Sequence, residues 1–216
     1  MNESRRLPRT DGLTLIELLV VLAVLAIAVA MLMPSVSNHP VRAPRINCVN
    51  NLKQVGLAFR SWAFDHGDQF PMGVSTNAGG TMELVSGPNA FAHFQVVSNE
   101  LSTPRVLFCP ADSKRTSATN FADFSNLSLS YFVGVDAVAT NEQRFLSGDR
   151  NITNGATLEN GILVLTTNQP AGWTHQLHAK SGNIGLADGS VQQLTPSRLR
   201  EAIASTGVAT NRLAMP

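Results

Sequence analysis

The sequence predicts an α+β fold, in which the second half of a long N-terminal helix packs on a small antiparallel sheet. Three observations lead there. An apolar run occupies Leu13 to Met33. A helical stripe of large apolar side chains follows between Cys48 and Trp62. Short β-prone runs fill the second half, two of them joined by Asp188-Gly189.

Composition bounds what this chain can be. Its 216 residues suit one domain with an appendage. Only 14% are charged, well below the usual quarter of a soluble protein. Net charge is +1. The first twelve residues hold Arg5, Arg6 and Arg9 against Glu3 and Asp11, so the remainder is neutral. With no basic stripe to release counterions from DNA, nucleic acid is not an expected partner. The two cysteines, Cys48 and Cys109, suit one staple or two unrelated buried thiols, and export would favour the bridge.

The N-terminal run reads LTLIELLVVLAVLAIAVAMLM and is interrupted only by Thr14 and Glu17. As a helix it is about 31 Å long, which matches a bilayer core. The flanking arginines place the N-terminus in the cytoplasm. An ordinary signal peptide would end in a small-x-small cleavage site, whereas this run ends in Met31-Leu32-Met33-Pro34. A plain signal anchor fits the length but gives no reason for Glu17, whose carboxylate is costly within a membrane unless paired.

Gly12-Leu13-Thr14-Leu15-Ile16-Glu17 resembles the cleavage and methylation motif of type IV prepilins and type II secretion pseudopilins. The resemblance implies cleavage between Gly12 and Leu13 by a prepilin peptidase, then N-methylation of Leu13. Leu13 stands where the family commonly has Phe. The resemblance puts Glu17 at the fifth mature position, where its carboxylate would pair with an α-ammonium and register one helix against the next. It also implies a pilin-like fold, with residues 1–12 as leader, 13–33 as membrane-spanning assembly helix, 34–44 as a Pro-containing hinge and 45–216 as extracytoplasmic domain. Pro34, Pro40 and Pro44 predict a kink near Pro34 and a break between Ser35 and Pro44.

From Arg45 the pattern is helical again. Cys48, Leu52, Val55, Phe59 and Trp62 form one buried stripe, flanked by Val49, Gly56 and Ala63. Asn50, Asn51, Lys53 and Arg60 are expected to face water, and Gly67 to end the helix. CVNNLKQVGLAFRSWAFDHGDQFP, from Cys48 to Pro71, resembles a bacterial group of prepilin-like proteins that also carries a Cys-Pro followed by an acidic residue, here Cys109-Pro110 and Asp112. Because both cysteines fall on matched motifs, the resemblance favours a Cys48–Cys109 disulfide.

Met72 to Asn99 reads as loops with one short element around Ala90 to Val97. Val106 to Pro110 reads as a short strand or extended segment. Leu129 to Val135 and Gly161 to Thr167 read as strands, with Asn141 to Asn160 between them as loop. Asn183 to Leu186 and Val191 to Leu194 form a hairpin through Asp188-Gly189. Thr195-Pro196 starts a helix with Leu199, Ala202 and Ile203 on its inner face and Gly207 at its end. The residues beyond are expected to be mobile.

His178, nine residues, then Asp188-Gly189 resembles the C-terminal signature of the same bacterial group. His175, His178 and Asp188 also raise a metal site. The reading favoured here is that His178 packs or hydrogen-bonds across the hairpin while Asp188 makes the turn. No metal, calcium or other cofactor is expected, since no catalytic base stands nearby and no dense run of oxygen ligands occurs.

These readings converge on a non-enzymatic structural subunit of a type II secretion pseudopilus or type IV pilus-like filament. It would sit in the bacterial inner membrane with its C-terminal domain in the periplasm. Its partners would be the prepilin peptidase/methyltransferase, other pilin or pseudopilin subunits and inner-membrane lipid. Two rivals are a membrane-anchored binding protein or adhesin that does not polymerise, and an anchored metal-dependent hydrolase using His175, His178 and Asp188.

Overall fold

The computed structural model describes residues 14–32 and 42–216. The leader, Gly12, Leu13 and the segment holding Pro34 and Pro40 lie outside the described residues. The chain divides into two compact units, Met1–His39 and Pro40–Pro216. In the first, helix α1 spans Leu15–Leu32.

The second unit begins with α2, Arg42–Asp65. The helix starts three residues before the expected Arg45 and so takes in Arg42, Ala43 and Pro44. Pro44 is accommodated because the first four helical N–H groups have no intrahelical acceptor anyway. The chain leaves α2 through left-handed Gly67 and Asp68, with φ of 66° and 58°. Two short helices follow, α3 at Ala90–Gln95 and α4 at Ser98–Leu101.

The rest is mainly sheet. Strands β1 (Tyr131–Gly134), β2 (Phe145–Asp149), β3 (Ile152–Thr153), β4 (Ile162–Thr166), β5 (Gly172–Trp173), β6 (Gly182–Leu186) and β7 (Val191–Leu194) precede helix α5 (Pro196–Ser205) and strand β8 (Thr210–Ala214). Six strands form one antiparallel sheet in the order β4-β8-β1-β2-β6-β7, and β3 pairs with β5 as a separate ribbon. The architecture is α+β, a helix packed on an antiparallel sheet in a pilin-like layout.

Both faces of the sheet are covered. On one side Cys48, Leu52, Val55, Phe59 and Trp62 of α2 pack with Tyr131, Val133 and Leu146. On the other, Leu199, Ala202 and Ile203 of α5 pack with Phe132, Phe145, Ile184 and Leu186. Helix α2 passes very close to the β6–β7 hairpin. A Cβ on Gly56 would lie 3.1 Å from Cα of Gly189, so a larger residue there would require the hairpin backbone to give by a few tenths of an ångström. The hairpin turns through Gly189 at φ 86°, and Asp188 Oδ1 accepts the Ser190 N–H at 2.8 Å. Thr195 caps α5 by accepting the Arg198 N–H, with Pro196 in the first turn.

Three local expectations are corrected. Val106 and Leu107 are not in a strand; they end a 3₁₀ turn over Pro104–Leu107, which Thr103 caps by accepting the Arg105 N–H. A capping hydroxyl followed by proline outweighed the β-prone residues after it. Asn141 to Asn160 is not all loop, because β2 lies inside it and is wholly buried between β1 and β6. Its polar groups find partners there: Ser147 donates to the Phe132 carbonyl at 2.8 Å, and Asp149 accepts from Asn183.

The third correction concerns the C-terminus. The residues after Gly207 are not loose, since β8 pairs with both β4 and β1 and buries Asn211, Leu213 and Ala214. Deleting Val208 to Pro216 should therefore remove cooperative unfolding, because β4 would lose its pairing to the sheet and β1 one neighbour. Thermal melting followed by near-ultraviolet circular dichroism checks this. A truncated chain that melted like the intact one would show β8 to be dispensable.

Candidate functional site

Helix α1 is apolar around its whole circumference. From Leu15 to Met31 the described Leu, Ile, Val and Met side chains are at least half exposed, on every face. Exposed apolar surface of that extent on a soluble monomer would be anomalous. The polar groups sit at the start. Glu17 Oε2 accepts from the Thr14 N–H at 2.9 Å and from the Thr14 hydroxyl at 2.8 Å, while the Glu17 N–H donates to Thr14 Oγ1 at 3.4 Å. Thr14-x-x-Glu17 is therefore a capping box that satisfies the first free donors of the helix. The sequence reading did not assign Glu17 that structural role, although the four-residue pattern was visible.

No helix among the described residues is long and apolar enough to cross a membrane. Helix α1, with 18 residues, measures about 27 Å against a hydrocarbon core of about 30 Å. The apolar run of the sequence continues to Met33, outside the described residues.

A second concentration of chemistry lies inside the 42–216 unit. Cys48 of α2 and Cys109, just after the 3₁₀ turn, are joined by a disulfide, with Cα atoms 5.2 Å apart. Both are buried. His178 Nε2 lies 3.5 Å from Cys109 Sγ and 3.4 Å from Asp149 Oδ2. Asp149 Oδ2 in turn accepts from the Asn183 N–H at 2.7 Å and from its Nδ2 at 2.9 Å.

His178 reaches this position through an unusual backbone. His178, Ala179 and Lys180 are three consecutive left-handed residues, with φ of 49°, 51° and 61°. L-residues disfavour that region, so the surroundings must hold the loop. Asn151 does so from inside, its Nδ2 within 3.0 to 3.2 Å of the carbonyls of Thr174, Leu177 and Ser181. Ser181 donates to the His178 carbonyl. Arg150 donates at 2.6 Å to each oxygen of Asp112 and at 2.7 Å to Gln176 Oε1. This ties the Cys109 loop to the His178 loop.

The electrostatics follow from burial. Burial pushes the Asp149 carboxyl up, against the Asn183 hydrogen bonds and the positive charge of Arg45. Burial pulls the His178 imidazole down, with Arg45 adding to the effect. Both groups are thus disposed to be neutral. For Asp112 burial acts upward, but the hydrogen bonds and charge of Arg150 prevail and its carboxyl ends below its usual value.

His175, exposed, does not join this centre, and Asp188 serves its turn. Among the described residues, the donor atoms of Cys48, Cys109 and His178 lie within 4.8 Å of one another; His175, His178 and Asp188 form no such group. Asn51, expected to face water, is half buried and donates to the Phe108 carbonyl at 2.9 Å and to the Tyr131 hydroxyl at 3.4 Å. Sequence reasoning missed Asp149, Asn151 and Asn183. Asp149 and Asn151 fell in a segment read as loop and Asn183 in a hairpin strand with no partner assigned on its other edge, and only the pairing of β2 with β6 brings Asp149 and Asn183 together.

Acid stability should be set by another residue, His93. It is fully buried, with Nδ1 2.7 Å from Thr81 Oγ1, and burial lowers its pKa to about 4. The unfolded chain binds a proton near pH 6.5 that the fold does not accept until about 4. Stability is therefore lost as pH falls from 6.5 to 4, by about 3 kcal/mol. The Asp149–His178 pair adds little in that window, because it holds one proton folded, on Asp149, and one unfolded, on the imidazole. Urea midpoints at pH 7 and pH 4.5 check this: His93→Gln should flatten the decline, and an unchanged decline would assign it elsewhere.

Residues 8–33 match the model of the family described as the prokaryotic N-terminal methylation motif. The match ends well before Cys48, Cys109, His178, Asp188 and Gly189. No curated protein and no solved structure matches the chain. With its motif and its all-round apolar helix, the N-terminal segment is that of a prepilin-type exported protein.

Proposed function

We propose that this chain is a structural, non-enzymatic subunit of a type II secretion pseudopilus or type IV pilus-like filament. The observation that carries the proposal is the methylation motif over residues 8–33, borne by a helix that is apolar on every described face and polar only at its start. A prepilin peptidase/methyltransferase would cut after Gly12 and methylate Leu13. The mature chain would rest in the inner membrane through the run from Leu13 to Met33, with its domain in the periplasm. The cost of exposing α1 to water would be relieved first by lipid and then by the helices of other subunits. In that lipid-free core the Glu17 carboxylate would meet the new α-ammonium of a neighbour and set the stagger.

The covered sheet, the disulfide and the loop tied by Asn151 suit a rigid body displayed outside the cytoplasm. The test is recovery of the chain from filaments sheared off cells that express its secretion or pilus system. The proposal expects the processed chain in the sheared fraction. Processed chain found only in membranes would favour an anchored protein that does not polymerise.

A further inference from the structure

We propose that in its dithiol form this chain binds one Zn²⁺ ion between Cys48, Cys109 and His178, with the Asp149 carboxylate as fourth ligand. The three donor atoms Cys48 Sγ, Cys109 Sγ and His178 Nε2 lie within 4.8 Å of one another and all three residues are buried. Asp149 Oδ2 is 3.4 Å from the same Nε2 but lies outside that 4.8 Å group, so its carboxylate must shift toward the sulfurs to complete the set. Two thiolates, an imidazole and a carboxylate are a donor set suited to zinc.

The surroundings form a built site. The donors come from four separate segments: α2, the loop after the 3₁₀ turn, the 174–181 loop and the end of β2. The three left-handed residues from His178 to Lys180 aim the imidazole inward, and Asn151 and Ser181 hold that loop. Asn183 fixes the Asp149 carboxylate through two hydrogen bonds. The charges also balance. Two thiolates and a carboxylate carry three negative charges, which Zn²⁺ and the Arg45 guanidinium, acting on both Asp149 and His178, compensate.

Disulfide and metal are alternative occupants. A chain not yet oxidised already offers both thiols, and on binding the ion displaces their two protons together with the one held by the Asp149 carboxyl. From the oxidised chain, a dithiol reductant supplies two electrons and two protons, opens the bridge to two thiols and leaves as its own disulfide. Zn–S bonds of about 2.3 Å in a tetrahedral set put the sulfurs about 3.8 Å apart. Rotation of the two side chains supplies that opening across Cα atoms 5.2 Å apart. Zinc would then hold the α2–Cys109 junction in place of the disulfide.

The test uses the full-length chain in detergent, reduced with a phosphine and titrated with Co²⁺, then with Zn²⁺. The expected result is one equivalent of Co²⁺ with tetrahedral visible bands and a thiolate charge-transfer band, both removed by one equivalent of Zn²⁺. Zn²⁺ should also raise the melting temperature of the reduced protein, and the oxidised protein should show none of this. His178→Ala should lose the tetrahedral spectrum, and Asp149→Asn should weaken binding by about tenfold or more. Three results would overturn the site: no saturable binding, equal affinity for the urea-unfolded reduced chain, or an unchanged spectrum in His178→Ala. Should His178→Ala fail to fold, the unmutated reduced chain decides, since a melting temperature that Zn²⁺ does not raise contradicts the proposal. So does a reduced chain that is unfolded and stays so when Zn²⁺ is added.

Discussion

Replacing Cys48 and Cys109 together by alanine should destabilise the 42–216 unit by about 4 kcal/mol and lower its melting temperature by roughly 8–16 °C. The two cysteines are separated by 61 residues, so the bridge closes a long loop and removes much freedom from the unfolded chain. It also joins α2 to a region with little regular structure of its own. Between Cys109 and β1 the described chain has only one three-residue 3₁₀ turn, at Asn126–Ser128. That region is otherwise held by Arg150 on Asp112 and by Arg115, which donates to the carbonyls of Leu129 and Pro216. The double variant is the appropriate comparison, since a single one leaves a buried, unpaired thiol. Calorimetry of oxidised parent and variant checks it; a loss of only a degree or two would mean that packing around α2 suffices.

Glu17→Ala should leave export and processing intact and abolish filament assembly. Removing one partner of a buried ion pair costs about 3–5 kcal/mol, and about 1.4 kcal/mol is already tenfold in an equilibrium constant. Each subunit contact would thus weaken by more than about a hundredfold. The capping box introduces a second explanation, because Ala also removes the acceptor for the Thr14 N–H. Glu17→Gln separates the two, since glutamine preserves a capping box while abolishing the charge. Failure of both variants assigns assembly to charge. Assembly restored in Glu17→Gln would make the residue a helix cap and nothing more.

Parts of the fold were legible because one side of the element was enough to define it. The stripe on α2 reads cleanly because its other face meets solvent at residues such as Lys53 and Leu57. Helix α5 was marked by Thr195-Pro196, and the β6–β7 hairpin by Asp188-Gly189, whose local geometry needs those residue types. Strands β2 and β8 were not legible. In β2 the sheet is covered on both sides, so Phe145-Leu146-Ser147-Gly148-Asp149 is buried throughout and shows no alternation. In β8 the apolar content is only Leu213 and Ala214, and its place in the sheet comes from pairing with two distant strands.

The candidate sites divide in the same way. The N-terminal motif is contiguous, so Gly12, Leu13 and Glu17 could be singled out from the sequence alone. The disulfide centre is assembled from residues as far apart as Cys48 and Asn183, and only its cysteines and His178 stood out. Asp149 was hidden because a buried carboxylate looks like a loop residue until its partner is known. His178 was noticed for its spacing to Asp188, but its neighbours are Cys109 and Asp149.

The most direct test of the central claim is N-terminal peptide mass spectrometry of the protein purified from bacterial membranes. The account predicts a chain beginning at N-methylated Leu13. A chain still beginning at Met1, or one cut beyond Pro34, would contradict it and remove the assembly role from Glu17.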